Sequence, residues 1–468
     1  MGQPLDALGG LDVPAWLVGG AVRDRLLGRA TTDYDVVVAV SHAAALEPVA
    51  RDLARTAGGF AFALSETFGA WRVVAHARDW QVDLMVVAGG SIEADLRRRD
   101  LTVNALAQPL WGEPAVLDPT GGVADLQQRR LRTVSAQAFA DDPLRVMRLA
   151  RLAVELEASV EPDTAALATH AAGGLRTVAP ERVFAELRRV IASDRALAGL
   201  ELMDAVGATA VVLPELVALE GIEQSRFHHL DVLAHTRAVL AETISLEGDP
   251  GAVFSEVGDQ LSAFLARPLA NELTRGQALR FGALLHDIAK PQTRAQSAEG
   301  RITFMRHDET GAGVVTEILG RLRVSERLSQ HVAALTRHHL RLGFLVHHMP
   351  LERREVYRYL EACSPVAVDV TALSVADRLA TRGDNAEGAI ARHLELAREI
   401  LPEALAWSQD PPRAPVRGDE LSQALGIRPG PQLGELLHEL TEAAYAGEVS
   451  SPEEAIGYAR QLVGGGGR

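Results

Sequence analysis

Residues 17–38 read LVGGAVRDRLLGRATTDYDVVV, and the reading of this stretch decides the fold of the N-terminal part. Gly19 and Gly20 close an apolar strand and open a short helix over 21–28. Backbone N–H groups at such a turn can cradle a phosphate, and Arg23, one turn in, adds a fixed positive charge near the same point. Asp33 and Asp35 then lead into Val36, Val37 and Val38. Residues two apart on a strand project to the same side, so these carboxylates share a face and repel one another unless a cation lies between them. Mg2+ favours oxygen ligands, usually one or two carboxylates together with substrate phosphates. A Gly-Gly turn alone is weak evidence, and D-x-D alone is commonly a solvated turn. Both in this order, with Arg23 between them, point to a site for phosphate and a divalent cation. Asp83, in QVDLM on a later strand, is either a third carboxylate that receives the proton of an attacking hydroxyl or a surface position.

Outward from this segment, WLVGG (16–20), YDVVVAV (34–40), WRVVAHA (71–77) and WQVDLMVVA (80–88) read as strands. From about residue 120 the pattern turns helical, as in DDPLRVMRLARLAVEL (141–156) and PERVFAELRRVIAS (180–193), the latter with Pro180 where a missing N–H costs nothing. Segments 246–252 and 408–418 read as connections, and the terminal GGGGR as disordered. A length of 468 residues fits two to four domains. With 47% apolar and 23% charged residues the chain is globular in composition, which excludes a disordered tail protein, a collagen and a disulfide scaffold. No apolar stretch has the length of a membrane span, the N-terminus lacks a signal layout, and the single Cys363 allows no internal disulfide; a cytoplasmic, membrane-free protein is expected. The net charge of −15 argues against a nucleic-acid partner only if it is evenly spread, since a local basic patch decides such binding. Lys290 is the single lysine.

The segment GGAVRDRLLGR with DYDVVV resembles the first motif of the class II tRNA nucleotidyltransferase and bacterial poly(A) polymerase family. Further segments resemble that family's motifs in order: RRRDLTVNALA (97–107) its ribose-recognition motif, DPTGGVADLQQRRLRTV (118–134) its neck motif, DDPLRVMRLAR (141–151) its nucleotide-template motif and PERVFAELRRV (180–190) its next neck helix. The resemblance covers about residues 14–215. It implies an α+β fold: a polymerase-β-like head with a small sheet (1–135), a helical neck (136–220), an HD metal-binding helical domain (221–400) and a helical RNA-binding tail (401–468). Within it Arg99 matches a nucleotide-contacting position, and Asp100 and Asn104 stand as ribose partners. Asp142, Arg145, Arg148 and Arg151 recur at spacings of three on one expected helix and so form a contiguous stripe. Asp142 can accept from an exocyclic amine and Arg145 can donate as a fork, so the pair complements cytosine or adenine edges; Arg148 and Arg151 suit phosphate better. An isolated D-x-x-R on a helix is by default a salt bridge, and the surrounding motifs reverse that default here.

Downstream, LDVLAHTRAVL (230–240), LLHDIAKP (284–291) and SVADRLATRGD (374–384) resemble the HD phosphohydrolase pattern. His286 and Asp287 adjoin on an apolar helix, where an unpaired carboxylate is costly. A transition metal on His235, His286, Asp287 and Asp377 resolves that cost, with His307 and His338 as further available imidazoles. The doublets at 228–229, 338–339 and 347–348 are otherwise read as surface. The segment 416–447 resembles the family's tail that holds the tRNA elbow, although a plain helix connection explains it nearly as well.

The resemblance implies transfer of CMP or AMP from CTP or ATP to a tRNA 3′ end, with Mg2+ on Asp33 and Asp35. Alternatives are an A-adding or poly(A)-forming enzyme, an HD phosphohydrolase with an idle head, and a non-enzymatic binder of structured RNA. Between Asp83 and Asp95 the connection LMVVAGGSIEA is short, where CCA-adding members carry a flexible loop; members that stop after two cytidines resemble this shortened form. Oligomeric state is not legible.

Overall fold

The Asp33–Asp35 stretch forms an inner strand of a six-stranded sheet in the computed structural model, which describes residues 4–8, 13–65, 69–113, 115–225 and 228–465. The last residues of the terminal glycine run lie outside the described residues. The strands are β1 (Ala15–Val18), β2 (Asp33–Val38), β3 (Gly59–Ser65), β4 (Ala70–Ala75), β5 (Gln81–Val86) and β6 (Ala107–Pro109), in spatial order β3-β4-β5-β2-β1-β6. Within this sheet, among the described residues, only β2 and β5 run parallel, with Asp35 directly opposite Asp83. Helix α1 (Gly20–Leu26) follows β1, and α2 (Leu46–Ala57) covers one face of the sheet. Leu46, Ala50, Leu53 and Ala54 of α2, at helical spacing, pack on Tyr34, Val36, Val38, Val82 and Leu84, while Gly58 ends the helix in a left-handed turn. On the opposite face Val37 is covered by Ile92 and Leu96 of α3 (Ile92–Leu96), which leaves the Asp33 end uncapped by that cluster.

β3 is a strand that the sequence pattern does not announce. Its residues, GFAFALS, carry no β-branched side chain; pairing with β4 makes it a strand. After the sheet come α4 (Gly122–Gln127), α5 (Ala138–Asp141), α6 (Leu144–Leu156), α7 (Pro162–Ala171) and α8 (Pro180–Ala192). The expected helix over 141–156 is therefore broken. Asp142 has extended backbone (φ −144°, ψ 100°), because a residue preceding proline, here Pro143, is sterically kept out of the helical region. A fully buried carboxylate, Asp125, ties the neck segment together: it accepts from Thr102 Oγ1 (2.7 Å), Arg130 Nε (2.8 Å) and Arg132 Nε (3.0 Å). Gly122 is required beside it, since a Cβ there would sit 2.0 Å from the Thr102 carbonyl oxygen.

The chain divides into two compact units, 1–212 and 213–468. The second unit is helical, with short hairpins. Its central helices span Val232–Gly248, Arg275–Leu285, His307–Arg321, Glu326–His338 and Ala367–Ala380. The tail helices are fixed within this unit by Arg354, which donates to Glu448 Oε1 (2.7 Å), Glu439 Oε1 (2.8 Å) and the Tyr458 hydroxyl (2.8 Å). No single helix among the described residues is long and apolar enough to cross a membrane.

Candidate functional site

Two clusters of chemistry-bearing side chains emerge, one in each unit. In the first, strand geometry brings three carboxylates together. Asp33 and Asp35 alternate on β2, and the parallel register sets Asp83 beside Asp35. Gln81 Nε2 donates to Asp33 Oδ1 (3.0 Å), and Arg72 forks onto both oxygens of Asp83 (2.7 Å each). Asp83 is thus neither a free base nor a surface residue: it is 8% exposed and charge-compensated. Burial pushes the Asp35 carboxyl up to about 6; the negative charges of Asp33 and Asp83 add to the rise, and Arg99 opposes it. Arg72 has no part in the sequence reading, although its position in WRVVAHA, alternating with the buried Val73, was the available signal.

Gly19 makes the turn that brings this cluster against the ribose-motif segment. Its φ of +70° disfavours any side chain, and a Cβ there would lie 2.8 Å from Arg99 Nη1 and 3.5 Å from Asp35 Oδ2. Arg99 itself is oriented by Asp95 Oδ2 (3.2 and 3.1 Å). Gly20 starts α1, and Arg23 in its first turn is 8% exposed, donating to Asn104 Oδ1 (2.6 Å) and Asp24 Oδ1 (2.9 Å).

Asn104 and Asp100, the expected ribose partners, are hydrogen-bonded to one another. Asn104 Nδ2 donates to Asp100 Oδ1 (3.1 Å), which also takes the Leu101 amide (2.7 Å). Burial alone would raise the Asp100 carboxyl, but Arg148 and these donors outweigh it and hold it below its usual range. Arg148 Nη1 donates to Asp100 Oδ2 (3.1 Å), and Arg148 Nε faces Glu186 of α8 (3.5 Å). Arg151 pairs with the same Glu186 and, through Nη1, with Glu155 (2.8 Å), at 8% exposure. This corrects the expectation of a phosphate contact at Arg151; the paired carboxylates are what allow it to be buried.

The stripe expected from spacings of three is also corrected at its first member. Asp142 stands outside α6, with Oδ1 accepting the Leu144 amide (3.1 Å) and Oδ2 accepting from Arg182 (3.1 Å). Arg145 is held by carbonyls, Nη1 donating to Arg99 O (3.2 Å) and Ala138 O (2.9 Å) and Nη2 to Arg98 O (2.9 Å). Its fork is locked to the ribose-motif segment, not to Asp142.

In the second unit His235, His286, Asp287 and Asp377 do converge, and the set is larger than expected. One ring nitrogen each of His235 and His286 and a carboxylate oxygen of Asp287 lie within 4.8 Å of one another, as do one ligand atom each of Asp287, His307 and His339. His235 Nε2 is 3.1 Å from Asp377 Oδ1. Three of these imidazoles face a backbone carbonyl through Nδ1: His286 at Ala283 O (2.8 Å), His307 at Phe304 O (2.7 Å) and His339 at Thr336 O (2.6 Å). Such contacts fix the ring and turn Nε2 inward, as in metal-ligating histidines. The buried Nε2 atoms of His235 and His286 and both Asp287 oxygens have no well-formed hydrogen bond, although Lys290 Nζ lies 2.6 Å from Asp287 Oδ2. Orphaned buried acceptors around a shared carboxylate are a donor set that fits divalent cations.

Two expectations are corrected here. His338 is not in the cluster; its Nδ1 accepts from Arg341 (2.9 Å), and His339, read as a surface residue, is 1% exposed and takes the place expected of it. Burial pushes His339 down to about 4, so its imidazole is neutral near pH 7. A cavity of about 990 Å³ opens on the cluster, lined among others by Lys290, Arg301, Arg378 and Arg392.

Comparison with known proteins matches domains in both units. The family described as the poly A polymerase head domain matches residues 15–132, the probable RNA and SrmB-binding site of polymerase A matches 159–219, and the HD domain matches 261–382. The A-adding tRNA nucleotidyltransferase of Deinococcus radiodurans is 35% identical over 458 residues, covering 96% of this chain and 95% of the relative. The CC-adding tRNA nucleotidyltransferase of Thermus thermophilus is 35% identical over 461 residues, covering 96% and 94%. A Thermotoga maritima CCA-adding enzyme complexed with tRNA shares the fold at a TM-score of 0.60 and 18% identity, over 98% of this chain and 94% of that one. Carboxylate triad, neck and HD cluster thus stand in one chain that belongs to the tRNA nucleotidyltransferase family.

Proposed function

We propose that this protein extends the 3′ end of a tRNA, the terminal hydroxyl attacking the α-phosphate of CTP or ATP with release of pyrophosphate. The observation that carries this reading is the face shared by Asp33, Asp35 and Asp83, with the Asp35 carboxyl raised by burial to about 6. Asp33 and Asp35 would hold Mg2+, which supplies a lowered hydroxyl pKa and stabilises the charge that develops at phosphorus. Asp83, fixed by Arg72, sets the electrostatic field on the opposite side of Asp35. Gly19, Gly20 and Arg99 would hold the triphosphate, and the Arg145 donors not taken by carbonyls would serve a base edge. Incorporation of labelled CMP and AMP into tRNA lacking its end tests the reading; no incorporation rejects it.

The finer specificity proposed here is addition of the two cytidines. Both relatives are named for adding part of the CCA end, one A and the other CC. The segment 84–94 is short and tied down, with Ser91 Oγ capping α3 and Asp95 Oδ1 accepting the Ala88 amide (3.1 Å). That rigidity supports addition of the two cytidines without the terminal adenosine; the A-adding assignment is the competing outcome of the same assay.

The HD cluster supports a second, metal-dependent activity, hydrolysis of a phosphoester. Its donors would hold a transition metal, and the four cationic side chains around the cavity suit a phosphate. A single buried cysteine and a tRNA substrate fit a cytoplasmic location.

A further inference from the structure

The carboxylate face of the sheet continues past the carboxylates to its edge. Directly paired residues on neighbouring strands share a face. Followed outward from β2, one row reads Asp35, Asp83, Arg72, Phe62, and the next reads Asp33, Gln81, Val74, Phe60. Side-chain contacts along the rows confirm the common face, Gln81 reaching Asp33 and Arg72 reaching Asp83. Both rows end in an aromatic ring on the edge strand β3. Phe60 is 60% and Phe62 47% exposed, whereas Ala61, between them, packs into the core on the other side. Phe60 is held edge-on against His76, ring centroids 4.3 Å apart. Three strand spacings separate β2 from β3, about 14 Å at roughly 4.8 Å each, a reach of a few nucleotides.

We propose that Phe60 and Phe62 form a stacking platform for the unpaired bases next to the RNA 3′ end, whose terminal hydroxyl is delivered to Asp33 and Asp35. The inference rests on the nucleotidyl-transfer reading and names the subsite for its acceptor. Electrostatics selects this part of the face. The carboxylate end repels a phosphate backbone, so an approaching strand needs a neutral surface beside it, and Arg72 separates that surface from the acidic cluster. Aromatic faces accept any base by stacking, which is how unpaired RNA is held without sequence readout. Large exposed apolar side chains on an edge strand otherwise invite strand pairing between molecules.

The test uses the full chain, Mg2+, CTP or ATP, and a tRNA transcript lacking its terminal nucleotides. The double variant Phe60→Ala with Phe62→Ala should raise KM for the tRNA about tenfold or more, in line with base–aromatic stacking, and leave KM for the triphosphate unchanged. Phe62→Trp should restore the tRNA KM, and its indole emission should be quenched by an oligoribonucleotide ending in CC. An unchanged tRNA KM in a double variant with native circular dichroism overturns the platform, as does absence of quenching. A double variant that changes oligomeric state by light scattering, with its tRNA KM unmoved, makes the strip a self-association surface and also overturns it. If the unaltered protein extends no RNA, the activity reading fails by itself, and the quenching arm still decides the platform.

Discussion

Asp35 and Asp83 face each other across β2 and β5, and Arg72 neutralises Asp83 while burial raises Asp35 to about 6. The pair is therefore asymmetric: one carboxylate is satisfied within the protein, and the other is paired best by an added cation.

That asymmetry predicts a stability effect with a definite sign. The folded value of Asp35, about 6, lies above the ordinary 3.8, so its protonated form stabilises the fold. This contribution is fully present below about 3.8 and is lost as pH rises through about 6. Metal-free Asp35→Asn should melt higher than the unaltered protein at pH 8, by at most about 3 kcal/mol at 1.36 kcal/mol per pKa unit, with the gap closing toward pH 4. Millimolar Mg2+ should narrow it at pH 8. Calorimetric scans that show no gap at pH 8 would remove the claim of a strained carboxylate.

Catalysis should depend on the metal pair far more than binding does. Asp33→Ala or Asp35→Ala is expected to abolish nucleotide addition and leave tRNA affinity nearly intact, because backbone phosphate contacts supply most of that affinity. Turnover within about tenfold of the unaltered protein, roughly 1.4 kcal/mol of barrier, in either variant contradicts the assignment.

Arg145 offers a sharper test of base reading. Three of its N–H groups are spent on carbonyls at 98, 99 and 138, which positions the rest of the fork. Truncation to alanine should cost ~1–3 kcal/mol of discrimination among the four triphosphates, more than it costs in overall triphosphate affinity. Equal losses in both would make Arg145 a brace for the ribose-motif segment alone.

What the sequence made legible, and what it hid, follows the range of the interactions. D-x-D before three valines identifies β2 and its shared face locally, and the apolar run around Asp83 does the same for β5. Spacing failed where one residue overrode it: Pro143 removes Asp142 from the helix that would align it with Arg145. Partners far apart in sequence were invisible, since nothing near Arg148 or Arg151 announces Glu186 on α8. β3 was hidden because its Gly-, Ala- and Phe-rich stretch has no β-branched signal. In the HD cluster the choice between His338 and His339 turned on the end of the Glu326–His338 helix, a boundary that periodicity does not fix to one residue.

The two sites should be separable by mutation. His286→Ala together with Asp287→Ala should remove a bound transition metal, measured by elemental analysis, and any release of phosphate from monoesters or cyclic phosphates. Nucleotide addition should survive, since no ligand is shared between the clusters. Unchanged metal content would refute the HD assignment.

Segment 84–94 makes a prediction about product length. On the proposed CC-adding reading this segment, held by Ser91 and Asp95, does not act as a lever that resets the base-reading site from cytosine to adenine. The protein should add two cytidines and add the terminal adenosine about a hundredfold more slowly, a bias that needs only ~3 kcal/mol. Grafting a longer loop from a CCA-adding relative should restore the adenosine. Efficient adenosine addition by the unaltered protein removes the lever.

The central claim is nucleotidyl transfer to a tRNA 3′ end at the Asp33–Asp35 carboxylates, and single-nucleotide-resolution extension of tRNA transcripts tests it most directly. Transcripts lacking the whole end, or only the terminal adenosine, are incubated with Mg2+ and CTP or ATP. Discrete one- or two-nucleotide extension that releases pyrophosphate and disappears in Asp35→Ala is the predicted result. No extension of either transcript, or extension that persists unchanged in Asp35→Ala, would contradict it.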